Sequence, residues 1–114
     1  MAYTRMDVVP DLYGQFSYQY TDSLAAAGSS KSILIPAGVR SVSVTAQAAG
    51  GGTSVVVYSS TDSLAVVEAN SAVTWIAWAA GSVTTATAST FYPVTAIKII
   101  QTGTGTSSIT VRAQ

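Results

Sequence analysis

The carboxyl-terminal stretch of this chain alternates apolar and polar side chains with a period of two. Residues 93–113 read PVTAIKIIQTGTGTSSITVRA, and a run of glycine, threonine and serine divides two alternating arms. Alternation of this kind predicts β-strands, and the interrupting run predicts a hairpin with a loop longer than two residues. We therefore expect a terminal β-hairpin whose inward face consists of Ile97, Ile99, Ile109 and Val111.

The first arm of this stretch is also apolar on its opposite face. Val94, Ala96 and Ile100 lie there, and Lys98 is the one interruption. A strand that is apolar on both faces is typical of burial on both sides, inside a sandwich or against a neighbouring subunit. Both alternatives stay open, so Val94, Ala96 and Ile100 are candidates for a contact between subunits.

Shorter β-like segments recur between turns that contain proline or glycine. Expected strands cover 15–20, 33–35, 39–47, 53–59, 73–79 and 82–89. Residues 60–70 fit either a helical turn capped by Thr61 or Asp62, or a short strand with a loop, and we favour the strand and loop. Seven or eight short strands without a long helix predict an all-β fold, an antiparallel β-sandwich of jelly-roll or immunoglobulin-like type.

The first 15 residues fit neither the strand period nor the helix period, and Pro10 disfavours a helix. We expect an extended N-terminal arm at 1–15, followed by a β-sandwich domain at 16–114. The arm is rich in apolar and aromatic side chains, which suits a segment that lies on a surface, either its own domain or another subunit. Its candidate contact residues are Tyr3, Arg5, Met6, Val8, Val9, Leu12 and Tyr13.

Composition excludes several classes of function. The chain has no histidine and no cysteine, which removes the usual general base, the usual nucleophile–base pairs and thiolate metal sites. The five acidic residues do not form a dense acidic loop, so we expect no enzyme activity, no metal and no cofactor. Charged residues are 9% of the chain and the net charge is zero, which argues against nucleic acid and favours association. No 18-residue apolar run exists, so we expect no membrane segment.

The two tryptophans support one alternative function. Trp75 and Trp78 are three residues apart, so on a strand they lie on opposite faces, one in the core and one at a rim. An exposed indole could stack on a sugar ring, as in a carbohydrate- or receptor-binding module. The competing interpretation is that these aromatics belong to the sandwich core.

Three stretches within residues 30–114 carry a resemblance to known proteins. They read ILIPAGVRSVSVTAQ, VTWIAWAAGSVTTAT and PVTAIKIIQTGTGTSSITVRA. They are similar to small β-sandwich virion structural proteins of tailed bacteriophages, of the capsid decoration (cement) type. The resemblance implies a homo-oligomer, with a trimer as the expected form, bound to the phage major capsid protein. It implies a place on the capsid surface of the virion after synthesis in the bacterial host cytoplasm. The alternative within the same class of virus is a carbohydrate- or receptor-binding module of a phage tail or fibre, with Trp75 or Trp78 as the stacking residue.

Overall fold

The computed structural model describes residues 3–10 and 16–114, and within them the chain forms eleven β-strands and one short helix. The strands are β1 Tyr3–Arg5, β2 Asp7–Pro10, β3 Phe16–Leu24, β4 Gly28–Ser29, β5 Ser32–Leu34, β6 Val42–Ala49, β7 Ser54–Ser60, β8 Ile76–Ala77, β9 Thr87–Phe91, β10 Ala96–Thr102 and β11 Thr106–Ala113. The helix α1 spans Leu64–Ala69.

The strands form two sheets that pack face to face. The first sheet has the order β1-β5-β10-β7-β8, and β4 pairs with the same edge of β10 that β5 uses. The second sheet has the order β2-β3-β11-β6-β9. All strand pairs are antiparallel except β1 with β5, which is parallel. The predicted all-β sandwich is confirmed, with eleven strands among the described residues instead of the seven or eight expected.

The core lies between the two sheets and follows the sequence alternation. In β6, Val42, Val44 and Ala46 are buried and Ala48 is partly buried, and the residues between them face solvent. The side chains predicted to form the inward face of the terminal stretch have no exposed surface: Ile97, Ile99, Ile109 and Val111. Period-two patterning therefore identified the correct face of each terminal strand.

The terminal stretch is not a hairpin, contrary to the prediction. β10 pairs with β4, β5 and β7 in the first sheet, whereas β11 pairs with β3 and β6 in the second. The two inward faces meet across the core, so the loop between them crosses from one sheet to the other. Alternation shows which side chains point inward, but it is the same whether the next strand lies beside the first or opposite it.

Buried polar groups hold this crossing loop. The Gln101 side-chain amide donates to the carbonyl oxygens of Gly103 at 3.1 Å and Gly105 at 2.7 Å, and its Oε1 accepts from the Ser107 hydroxyl at 2.6 Å. The Gly105 N–H donates to Thr53 Oγ1 at 2.8 Å, which joins this loop to the second crossing loop between β6 and β7. The two loops therefore close one end of the sandwich together.

The chain also crosses between the sheets at both lateral edges. Met6 separates β1 in the first sheet from β2 in the second, and its side chain is buried in the core. At the opposite edge Trp78 is buried, and its Nε1 donates to the Gly81 carbonyl at 2.6 Å. Val83 then bridges to Val55 of β7. These crossings cover the sides of the core that the sheets leave open.

Residues 60–70 contain the helix α1, so the strand-and-loop interpretation is wrong. The N-cap is Ser63, whose hydroxyl accepts from the Val66 N–H at 3.4 Å, and Asn70 ends the helix in the left-handed conformation. Val67 is buried against Leu34 and Ala96 on the outer face of the first sheet. Tertiary packing of that one side chain favours a helix that is too short to be stable alone.

Candidate assembly surface

An open, mainly apolar groove of about 700 Å³ lies at the end of the sandwich where β1 stops and β10 begins. It brings together three residues that the sequence marked as contact candidates, Arg5, Met6 and Val94. Arg5 ends β1, Met6 makes the crossing to β2, and Val94 precedes β10. The N-terminal segment and the terminal strand, distant in sequence, therefore share one surface.

Other parts of the chain complete this groove. Leu34 ends β5, Ile35 and Pro36 begin the loop to β6, and Leu64 starts α1 with 45% of its surface exposed. None of these residues was a contact candidate. Leu34 and Ile35 lie in the expected strand 33–35, whose contact with the N-terminal segment was not predicted, and Leu64 lies in a helix that was not expected. The S/T-D-S turn before Leu64 was a signal for the helix start, since such residues cap helices.

The charge at the lip of the groove belongs to Arg5. Its guanidinium lies 3.7 Å from Glu68 Oε1, and the Arg5 side chain is 68% exposed. An exposed ion pair of this length contributes little to stability, because water screens it and two long side chains must be ordered. Arg5 is therefore available for polar contacts beside the apolar wall.

The N-terminal candidates divide between the domain and its surface. Tyr3 packs against the cluster of Leu34, Val67 and Ala96, and Met6 is a core residue, so both contribute to the fold of this same chain. Val8 is 56% exposed on β2, the outermost strand of its sheet, and Val9 is partly buried. Leu12 and Tyr13 lie outside the described residues.

Residues 3–10 are integrated into the sandwich. β1 pairs with β5, and β2 pairs with β3, so the N-terminal segment supplies an edge strand to each sheet. The extended geometry expected for 1–15 is present where the structure describes it. The boundary proposed between residues 15 and 16 falls beside residues 11–15, which lie outside the described part.

The second face of the terminal strand is covered in part by the same chain. Ala96 is fully buried under α1, which assigns it to the domain and not to a contact between subunits. Val94 is partly buried and lines the groove. Ile100 is partly buried at the other end of β10, where it pairs with Ser29 and Val56. One of the three candidates therefore lies in the groove, and two lie elsewhere.

The tryptophans have different environments, as their spacing predicted. Trp78 is 6% exposed, so its ring cannot stack on a sugar. Trp75 is partly buried, and the Lys98 ammonium lies 4.5 Å from its ring centroid. One face of the remaining indole is thus occupied by a cation–π contact. This arrangement removes one of the two residues on which the carbohydrate-binding alternative depended.

The described residues contain no group of three or more histidine, cysteine, aspartate or glutamate side chains placed to hold a metal ion. Asp62 has a structural role instead, because its Oδ2 accepts from the Thr74 N–H at 2.6 Å. Within the same part of the chain, α1 is far too short to cross a membrane, and no other helix there could do so.

Comparisons with known proteins identify no family for this chain. No protein-family model matches the sequence, and no curated protein matches it significantly. Among solved structures, the chain is similar to peruvianin-I, a cysteine peptidase from Thevetia peruviana latex, with 14% identity and a TM-score of 0.42, over 95% of this chain and 60% of that one. The chain therefore spans less than two thirds of that peptidase structure.

Two other solved structures are similar at the same low level. A structure from Bacillus endospore appendages, described as disulfide-linked pili, has 14% identity and a TM-score of 0.45, over 96% of this chain and 89% of that one. A carbohydrate-binding module of Cellvibrio mixtus lichenase 5A, in complex with cellotriose, has 16% identity and a TM-score of 0.32, over 96% and 84%. None of these similarities assigns a function to this chain.

Proposed function

We propose that this chain is a non-enzymatic virion structural protein, a decoration protein that braces the head lattice of a tailed bacteriophage. It acts as a homo-oligomer, a trimer, bound to the major capsid protein. The observation that carries the proposal is the groove at the end of the sandwich, where Arg5, Met6 and Val94 meet with Leu64. An open apolar surface of this kind on a chain of zero net charge suits permanent contact with another protein.

Burial of the groove would provide the energy of attachment. Apolar surface removed from water contributes about 25 cal/mol per Å², less the cost of immobilising the partners. Three copies linked in a trimer bind the shell together, which raises the overall affinity without any new kind of contact. Modest contacts repeated over a lattice are therefore enough for a bracing role.

The test uses a single substitution at the lip of the groove, because removing the N-terminal segment would remove two edge strands and the core residue Met6. Leu64→Glu places a charge on an exposed residue in the first turn of α1, where an acidic side chain is compatible with the helix dipole. We expect a folded protein whose occupancy on purified phage heads falls about tenfold or more, equivalent to about 1.4 kcal/mol.

The matched control is Ile76→Glu, which introduces the same charge at a residue that is 61% exposed on β8, at the other edge of the first sheet. We expect its occupancy on heads to equal that of the unsubstituted chain. Equal occupancy of both variants would exclude the groove as the contact. A chain that does not bind heads at all would exclude the decoration role itself.

A further inference from the structure

A second, smaller concavity of about 290 Å³ lies on the outer face of the first sheet, away from the groove. Every residue that lines it carries a hydrogen-bonding side chain: Ser29, Ser30, Lys31, Ser32, Asn70 and Lys98. No aspartate or glutamate lines it. Two of the five basic residues of a sparsely charged protein thus share one small site without an acidic neighbour in its wall.

Lys98 is the unusual member of this site. It projects from β10 in the middle of the sheet, where its ammonium lies 4.5 Å from the ring centroid of Trp75. The ion pair found among the described residues joins Arg5 to Glu68, so neither lysine of the site has a carboxylate partner there. A partly buried ammonium without a counter-ion is costly, and burial lowers the pKa of Lys98. An anion bound beside it would remove that cost.

The wall of serines is held in a fixed position. The Ser30 N–H donates to the Ile99 carbonyl at 2.9 Å, and the Ile99 N–H donates to Ser30 Oγ at 3.0 Å. This reciprocal pair attaches the link between β4 and β5 to β10, so that Lys31 and the flanking serines stay beside Lys98. Asn70, in the left-handed conformation that ends α1, completes the wall. The Ser30 hydroxyl itself donates to the Lys31 carbonyl at 3.1 Å, so it holds the wall in place and is not a donor to a ligand. The candidate donors are the Ser29 and Ser32 hydroxyls, the Asn70 amide and the two ammonium groups, positioned before any ligand arrives.

We propose that this concavity binds a divalent tetrahedral oxyanion, phosphate or sulfate. Two ammonium groups match two negative charges, and the hydroxyl and amide groups around them supply donors from several directions. A carboxylate is planar and carries one charge, so it would leave one ammonium unmatched. The site is independent of the groove, and binding there does not depend on the proposed decoration role.

The experiment is a titration of the full chain with sodium sulfate and, separately, with sodium phosphate, followed by amide chemical shifts in ¹H–¹⁵N NMR spectra. Total ionic strength is kept constant with sodium chloride, because salt screens exposed charges. We expect saturable shifts confined to residues 29–32, Asn70 and Lys98. Both anions should produce them, and chloride should not.

Charge-removing variants assign the site. Lys98→Met should weaken binding about tenfold or more, because charge-assisted hydrogen bonds contribute most. Lys31→Met, on an exposed side chain, should weaken it by a smaller factor and keeps the test valid if Lys98→Met does not fold. The control is Arg112→Met, an exposed residue of β11 in the other sheet, which should bind as the unsubstituted chain does. Shifts that never saturate, that chloride reproduces, or that are equally weakened in all three variants would overturn the proposal.

Discussion

Gly105 occupies a position where a side chain has no room. A Cβ atom there would collide with the Ala49 carbonyl oxygen and would lie 2.5 Å from Thr53 Oγ1. Ala49 ends β6 and Thr53 lies in the other crossing loop. The Ala49 oxygen is a backbone atom of a paired strand and Thr53 is 2% exposed, so neither can move easily. The glycine allows the two loops to touch and lets the Gly105 N–H reach the threonine hydroxyl.

Gly105→Ala should therefore destabilise the protein by about 1–3 kcal/mol, as overpacking does in a tight interior. The control is Gly51→Ala, since a Cβ at Gly51 meets nothing within 4 Å. It should change stability by less than about 0.5 kcal/mol. Urea unfolding of both variants measures the difference. Equal midpoints would contradict the contact between the loops.

The titration of Lys98 predicts an alkaline effect on stability. Burial lowers the pKa of Lys98 below its ordinary value of 10.5, so the folded protein releases this proton before the unfolded chain does. Between the two pKa values the unfolded state binds more protons, and stability rises with pH across that window. The gain is small, because the side chain is only partly buried and the Trp75 ring favours the charged form.

Lys98→Met should remove this contribution. As pH rises toward 10.5, we expect the unfolding free energy of the unsubstituted chain to increase relative to that of Lys98→Met. Chemical denaturation at several alkaline pH values gives that difference. A difference that does not change with pH would show that Lys98 titrates alike in the folded and unfolded states.

At the scale of the elements, the sequence predicted the faces of strands better than their partners. The alternation in β6 and in β10 and β11 correctly placed Val42, Ile97 and Ile109 in the core. It could not show that β10 and β11 lie in different sheets, because loop residues 103–105 can join strands of one sheet or of two. The deciding contact is a long-range one, from Gly105 to Thr53, while the bond between Gln101 and Ser107 holds the loop locally.

The helix α1 is a second case in which a local signal was present but the packing partners could not be predicted. The sequence indicated a cap at Thr61 or Asp62, whereas the N-cap is Ser63. The choice between helix and strand depends on Val67, which packs against Leu34 and Ala96. Such a contact joins residues far apart in the chain, so a local pattern does not reveal it. Because the helix was not predicted, Leu64, which lines one wall of the groove, was not identified as a contact residue.

Val67→Ala tests the role of this packing. Val67 is 1% exposed, so loss of two methyl groups and the resulting cavity should cost about 2 kcal/mol. The helix propensity of alanine opposes this loss only slightly. Leu64→Ala, at the exposed start of the helix, should cost less. Thermal unfolding compares the two, and a larger loss for Leu64→Ala would contradict the packing of α1 on the sheet.

At the scale of the whole molecule, a sandwich with a hydroxyl-rich surface has few charges to keep copies apart. The sequence contains few charged residues and predicted the fold class. It also identified Arg5, Met6 and Val94 as contact candidates, but it did not show that they lie together. Their meeting depends on the parallel pairing of β1 with β5 and on the crossing at Met6. Neither the parallel pairing nor the crossing follows from a period of two, so the groove could not be predicted from the sequence.

Electron microscopy of intact phage particles that carry this chain tests the decoration role most directly. We expect density for three copies around a local threefold position on the outer surface of the head, with the groove of Arg5, Val94 and Leu64 facing the capsid protein. Density in the tail or fibre, or copies on the head that turn the groove toward solvent, would contradict it.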